Sequence, residues 1–417
     1  MSKTFRDWDV EQGWLLPPSV LDFVPPDHLS HFIRDTVRES LDLSAIMDTY
    51  GEERGHPPYH PTMMTALLLY AYCQGIYSSR RMAKGCLERL DFMAVTGLNQ
   101  PDFRTISDFR KRHLKALSGL FVQVLKLCRQ AGLAKLGHVA LDGTKVKANA
   151  SKHKSMSYER LNKKEAELRR EVAEWFQKAD ATDAAEDREE AKSGPVGMPE
   201  WVANKQARLE RIRDAKAALE AEAIANGESH PKPKAQYNFT DPESGIMKGA
   251  DGFVQAYNAQ AIVDADSQVI VAQDLSDRPT DVTLLGDLVG QIKINTGRQA
   301  TELSADAGYC SEGNLAILVR RKVRAYVATG KKRHGRARIE GRGQQPRTKA
   351  MRRRLARGGH RSRYRLRKQT VEPVFGQIKH ARGFRQFLLR GLANTRGEWS
   401  LICTVHNLLK LAARRLN

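Results

Sequence analysis

Apolar positions along the chain fall into patterns that predict different kinds of element. Over 62–76 and 114–128 they run almost unbroken, which predicts helices buried on most sides. Pro61 stands where the first of these would begin, since its missing N–H is no loss in a first helical turn. A further helix is predicted over roughly 79–95, after a break at Gly75. PDFRTISDFRKRH (101–113) predicts another, capped by Thr105 or Ser107 and carrying Arg110, Lys111 and Arg112. Such an array suits a helix-turn-helix, and it equally suits a bundle that braces the next part of the chain.

At Gly137 the pattern changes. His138 to Leu141 predict a short strand that delivers Asp142 at its end, a common way to place a reactive carboxylate. Residues 158–225 then become charged, alanine-rich and helical, with Leu161, Leu168, Val172 and Trp175 on one face. Val202, Leu209, Ile212 and Leu219 form a second face at heptad spacing, and Ser193-Gly194-Pro195 separates the two. This predicts an antiparallel helical hairpin, followed by the linker SHPKPKAQ. After Asn238 come two β-rich runs around a turn at Asp264–Ser267, then a helix over 280–295 and a strand ending at Asp306. A helix near 311–321 and a strand over 324–329 complete a mixed α/β sheet whose first two strands are interrupted by the hairpin.

The expected organisation is therefore a helical N-terminal region over 1–135 and the first strand of an α/β domain, with Asp142, over 136–157. A helical hairpin and linker follow over 158–235, and 236–417 holds the remainder of the α/β domain with a basic, helical C-terminal segment.

Composition narrows the partners. At 417 residues the chain exceeds one ordinary core, and 41% apolar residues exclude a disordered chain. A formal charge of +21 attracts a polyanion, so nucleic acid is the expected partner. No apolar run reaches the length of a membrane span, so no membrane is expected. The start, MSKTFRDWDVEQGW, is too acidic and polar for a signal peptide, so a cytoplasmic, DNA-associated location is expected. Cys73, Cys86, Cys128, Cys310 and Cys403 form no C-x-x-C pair and read as small buried hydrophobes. Residues 331–390 carry about twenty Lys and Arg but only two acids, Glu340 and Glu372. Over 331–350 that run reads as a solvated tail, whereas Val371, Val374, Phe375, Ile378 and Phe384 supply a core face further on.

Phosphodiester transfer needs an activated oxygen nucleophile, a stabilised leaving oxygen and in-line geometry, which two divalent ions about 4 Å apart supply together. Hard cations take carboxylate ligands, so three acids on separate elements are sought. Asp142, Asp306 and Glu372 meet that requirement, but Asp264, Asp266 and Asp274 also follow β-type runs, and spacing alone does not choose among them.

The blocks LDGTKVKANAS, FVQAYNAQAIVD, LSADAGYCSEGN and YRLRKQTVEPVFGQIKHARGFRQFLLRGL resemble, in order, those of DDE transposases of bacterial insertion sequences, and PDFRTISDFRKRH resembles their N-terminal block. The resemblance implies a ribonuclease-H-like catalytic domain with Asp142, Asp306 and Glu372 as catalytic acids and ligands of two Mg²⁺ ions, Mn²⁺ being a possible substitute. It implies a signature of Tyr364, Arg367, Glu372 and Lys379 around the third acid. Four residues separate Arg367 from Glu372 where three are expected, so Lys368 is a second candidate for the arginine's role. It further implies terminal inverted repeats and target DNA as substrates, with the helical region 1–135 as a candidate reader of the DNA ends and the α/β domain as the catalytic one, strand cleavage followed by strand transfer, and a homo-oligomer on DNA. Two other readings remain at this stage: a nuclease of the same fold that does not join ends, and a DNA-binding protein derived from a transposase.

Overall fold

The computed structural model describes residues 19–51, 57–186, 200–225, 227–249, 252–330, 345–359 and 362–416. The break expected at 193–195 and most of the basic run 331–350 lie outside these residues.

Among the described residues seven α-helices precede the sheet: α1 (Leu29–Ser40), α2 (Ser44–Met47), α3 (Pro61–Cys73), α4 (Ser79–Glu88), α5 (Leu90–Thr96), α6 (Phe103–Arg112) and α7 (Leu114–Gln130). α3 starts at Pro61 and buries nearly its whole circumference, as its unbroken apolar run predicts. The single helix expected over 79–95 is two, because Arg89 is extended and breaks the run. The cap of α6 is Asp102, whose carboxylate accepts the N–H groups of Arg104 and Thr105; Thr105 only donates its hydroxyl back to it. Arg110 points inward, donating to the Tyr72 hydroxyl and the Tyr77 carbonyl, and is 5% exposed.

The sheet begins with β1 (His138–Lys147). Between it and the next sheet strand lie β2 (Ser155–Ser157), α8 (Tyr158–Glu186), α9 (Glu200–Ala225) and β3 (Gln236–Asn238). α8 and α9 pack antiparallel through Leu161, Leu168, Leu209, Ile212 and Leu219, a small core separate from the main one. Glu165 pairs with Lys216 and Arg213, Glu171 with Lys205, and β2 with β3 closes the stalk.

Then follow β4 (Gly245–Gly249), β5 (Gly252–Asp264), β6 (Ile270–Ser276), α10 (Leu285–Thr296), β7 (Glu302–Ala305), α11 (Glu312–Arg320), β8 (Arg324–Val327), α12 (Pro346–Gly358), α13 (Leu366–Gly376) and α14 (Leu392–Leu416). β5 runs antiparallel to both β1 and β6, while β7 and β8 lie parallel on the other side of β1. Reading β6-β5-β1-β7-β8 across, with the short β4 added to β5, this is a ribonuclease-H-like sheet. The strand expected to stop at Leu141 runs on to Lys147, because β5 continues opposite it after β7 has ended.

α14 lies between β6 and α7, so the N-terminal helices and the sheet share one continuous hydrophobic core. Gly397 makes this packing possible, since a Cβ there would meet Leu114 at 2.8 Å. Among the described residues no helix is long and apolar enough to cross a membrane. Four of the five cysteines are buried, and Cys310 is half-buried.

Candidate active site

Strand register builds the centre. Leu141 pairs with Ala305 in the parallel β1–β7 ladder, so the next residues, Asp142 and Asp306, stand side by side where β7 ends. Neighbouring strands are roughly 4.8 Å apart, which is the spacing that two carboxylates gripping a common cation require. Asp306 also caps a short turn, accepting the Gly308 N–H at 2.8 Å.

Asp142 is largely buried, and burial pushes its carboxyl up to about 6; the Arg367 guanidinium and the Gly143 N–H pull it down, and Asp306 and Asp281 push it up again. Arg367, from the first turn of α13, donates to Asp142 and lies 3.9 Å from Glu372 on the next turn. Tyr364 lies beside the same arginine and favours its charged form. The structure thus brings Arg367 to the acids, whereas Lys368 faces solvent. Arg367 Nε is buried without a partner among the described residues.

Pro373 follows Glu372 inside α13, and a π-helical turn over Gln377–Ala381 extends it. Both loosen the regular helix ladder, and π turns of this kind gather at functional sites. Lys379 sits in the π turn and donates to the Thr144 hydroxyl at 3.0 Å and the Lys145 carbonyl at 2.8 Å. It therefore ties α13 to β1 two residues beyond Asp142, and burial lowers its affinity for its proton.

Asp281, which no motif or periodicity singles out, joins this centre from the loop between β6 and α10. It accepts from Asn258 at 2.6 Å and from Gln260 at 2.9 Å, and Lys145 lies 3.8 Å away. A Cβ on Gly308 would meet an oxygen of Asp281 and one of Asp306 at 3.1 Å each, so these carboxylates face each other across the glycine. Gln260 in turn accepts from the buried Tyr309 hydroxyl. Gly143, in the LDGT block, has a physical reason: a Cβ there would stand 2.2 Å from the Gln260 amide nitrogen.

The competing aspartates lie elsewhere. Asp264 accepts from Leu136, Asp266 and Ser267; Asp274 pairs with Arg396 at 2.9 Å; and Asp266 is exposed beside Lys135.

A hard divalent cation suits the donor set, which is entirely carboxylate oxygen. As the side chains stand, no three potential ligands among the described residues meet at one point. Arg367 instead puts its positive charge between Asp142 and Glu372.

Residues 18–112 match a family described as Transposase domain (DUF772), and residues 321–412 match one described as Transposase DDE domain. The second stretch contains Tyr364, Arg367, Glu372 and Lys379. No curated protein and no solved structure matches the chain.

Proposed function

We propose that this chain, which transposase family models match over residues 18–112 and 321–412, is a DDE transposase of an insertion sequence that cuts DNA at the element's terminal inverted repeats and joins the freed 3′ ends to target DNA. The observation that carries the reading is the register of β1 and β7, which sets Asp142 beside Asp306 while Arg367 links Asp142 to the helix bearing Glu372. Asp142, Asp306 and Glu372 are the proposed ligands of two Mg²⁺ ions, which when bound supply Lewis acidity to the attacking and leaving oxygens.

The chain's own groups do the rest. The burial of Asp142 keeps water away from the reacting phosphate and strengthens every charge interaction there. Arg367, oriented by Tyr364, holds Asp142 in place and passes to a DNA phosphate when a cation takes over the acids. Lys379 sets the distance between α13 and β1 and offers its ammonium to the phosphate next to the cut bond.

The test uses Asp142→Asn, Asp306→Asn and Glu372→Gln. Each should lower cleavage and strand transfer by roughly a thousandfold or more, while binding to the inverted repeats persists. Full activity in Asp306→Asn would defeat the assignment, and cleavage by the unaltered protein without joining of precut ends would make it a nuclease.

A further inference from the structure

A second charged site lies away from the acids, along the outer edge of β8. There a depression of about 650 Å³ is lined by Arg324, Tyr326, Arg353, Arg354, Arg357 and Arg363. Arg324 and Tyr326 come from β8 itself, Arg363 from the turn leading into α13, and the other three arginines from α12. On α12, Ala350, Arg353, Arg354 and Arg357 follow the spacing of one helix face, so that face is turned toward the depression as a unit.

Among the described residues its charge is not balanced. The one carboxylate among them in contact is Glu302, buried, 3.2 Å from Arg363 and 3.9 Å from Arg324, and shared with His138. No carboxylate among the described residues pairs with Arg353, Arg354 or Arg357. Arg354 is instead pinned by the Ala325 carbonyl at 3.1 Å. Several guanidinium groups around one concavity repel each other unless an anion is shared among them. Their flat donor forks suit phosphate oxygens.

Position narrows the ligand to a polymer. Glu302 and Arg324 pair at the start of β7 and β8, whereas Asp306 follows the end of β7. Four residues of strand span about 13 Å, or about four base pairs of duplex length. Arg363 precedes Arg367 by one helical turn, so a line of arginines leads from the depression to Asp142.

We propose that this depression is a phosphate-binding groove for duplex DNA about four base pairs from the cut bond, an inference that rests on the chain acting on DNA. The groove holds backbone and reads no bases, since arginines from α12 and an edge strand offer charge without a shape that fits a groove of the helix.

The test compares the full chain with Arg353→Gln/Arg357→Gln and with Arg353→Lys/Arg357→Lys, after thermal melts show all three folded. On a long duplex containing an inverted repeat, the glutamine variant should bind roughly tenfold more weakly, and its log K against log salt slope should be shallower by about two. The lysine variant should keep the slope. The glutamine variant's defect should vanish on duplexes trimmed, from one side, to within about three base pairs of the cut. An unchanged slope, or an equal defect on every trimmed duplex, overturns the groove while leaving the transposase reading intact. A flat salt response of the unaltered protein would instead strike the reading on which the groove rests.

Discussion

Acidic side chains gather at both ends of the central sheet, and the two groups are treated in opposite ways. Where β5 turns into β6, Asp264 accepts three backbone N–H groups and a hydroxyl, so its oxygens are fully used. Close by, Glu302 is enclosed by His138, Arg363, Arg324 and Tyr326. At the other end Asp142, Asp281 and Asp306 crowd together; Asp142 has one arginine and its neighbour's N–H, and Asp306 one backbone N–H. An acid whose lone pairs are spent locally stabilises the fold, whereas neighbouring acids with oxygens to spare invite a cation from outside.

The sharpest way to break that contrast sets Asp306→Asn against Asp264→Asn. The first should abolish cleavage, as argued above, with little change in melting temperature. The second should cost about 1–3 kcal/mol of stability, since an amide cannot accept from all four donors, yet keep the turnover per folded molecule. Calorimetry and a cleavage assay on both proteins decide it; a dead but stable Asp264→Asn would mean the ends have been misassigned.

Gly143→Ala sharpens the contrast within the reactive end. The new methyl would displace the Gln260 amide, and with it the hydrogen bonds to Asp281 and Tyr309. Cleavage should drop roughly 10- to 100-fold, as for a misplaced positioning group, while DNA affinity is unchanged. Normal cleavage would show that Asp281 need not be held.

Glu398 supplies a buried acid at neither end. It accepts the Leu388 and Leu389 N–H groups from inside the core, and burial, opposed by those bonds and Arg110, pushes it up to about 7. A carboxyl raised above its unfolded value gives stability that is full below about pH 4.5 and is lost as pH rises through 7. Between pH 6 and 8 the loss should be about 1 kcal/mol, and Glu398→Gln should remove that slope. Denaturant titrations at several pH values measure it; an identical slope in both proteins would place the proton elsewhere.

The smallest effect is expected from the hairpin. Ser157 and Gln236 are partners in the β2–β3 ladder, so residues 158–235 can be replaced by an Asn-Gly turn between them. Because α8 and α9 have their own core, the melting temperature of the remainder should shift by only a few degrees. Global unfolding would show that the two cores depend on each other.

Much of this was readable from residues near one another in the chain. The hairpin's heptad faces and the unbroken apolar run of α3 depend on local periodicity, and both elements appear where that periodicity places them. The length of β1 was hidden because Gly143, Thr144 and Lys145 lack the apolar alternation of a half-buried strand; only β5 opposite them makes the ladder. Asp281 had no signal at all, since it lies in a loop and meets Asp306 only after β6, α10 and β7 have folded. Arg110 looked like part of a basic surface by its neighbours Lys111 and Arg112, but its position on α6 turns it toward Tyr72. The choice between Arg367 and Lys368 turned on helix phase, which a one-residue shift leaves undecided until α13 is seen against β1.

The seam between α7 and α14 has a metrical consequence. With one core running from the first helices through α14 into the sheet, the N-terminal helices have no hinge against the carboxylates. Any DNA segment gripped by their surface is carried at a constant offset from Asp142, as work clamped in a jig is carried at a constant distance from the blade. For the proposed cleavage the position of the cut is then a length built into the protein, and a substitution such as Gly397→Leu, which would wedge the seam open, would blur that length before it dulled the blade.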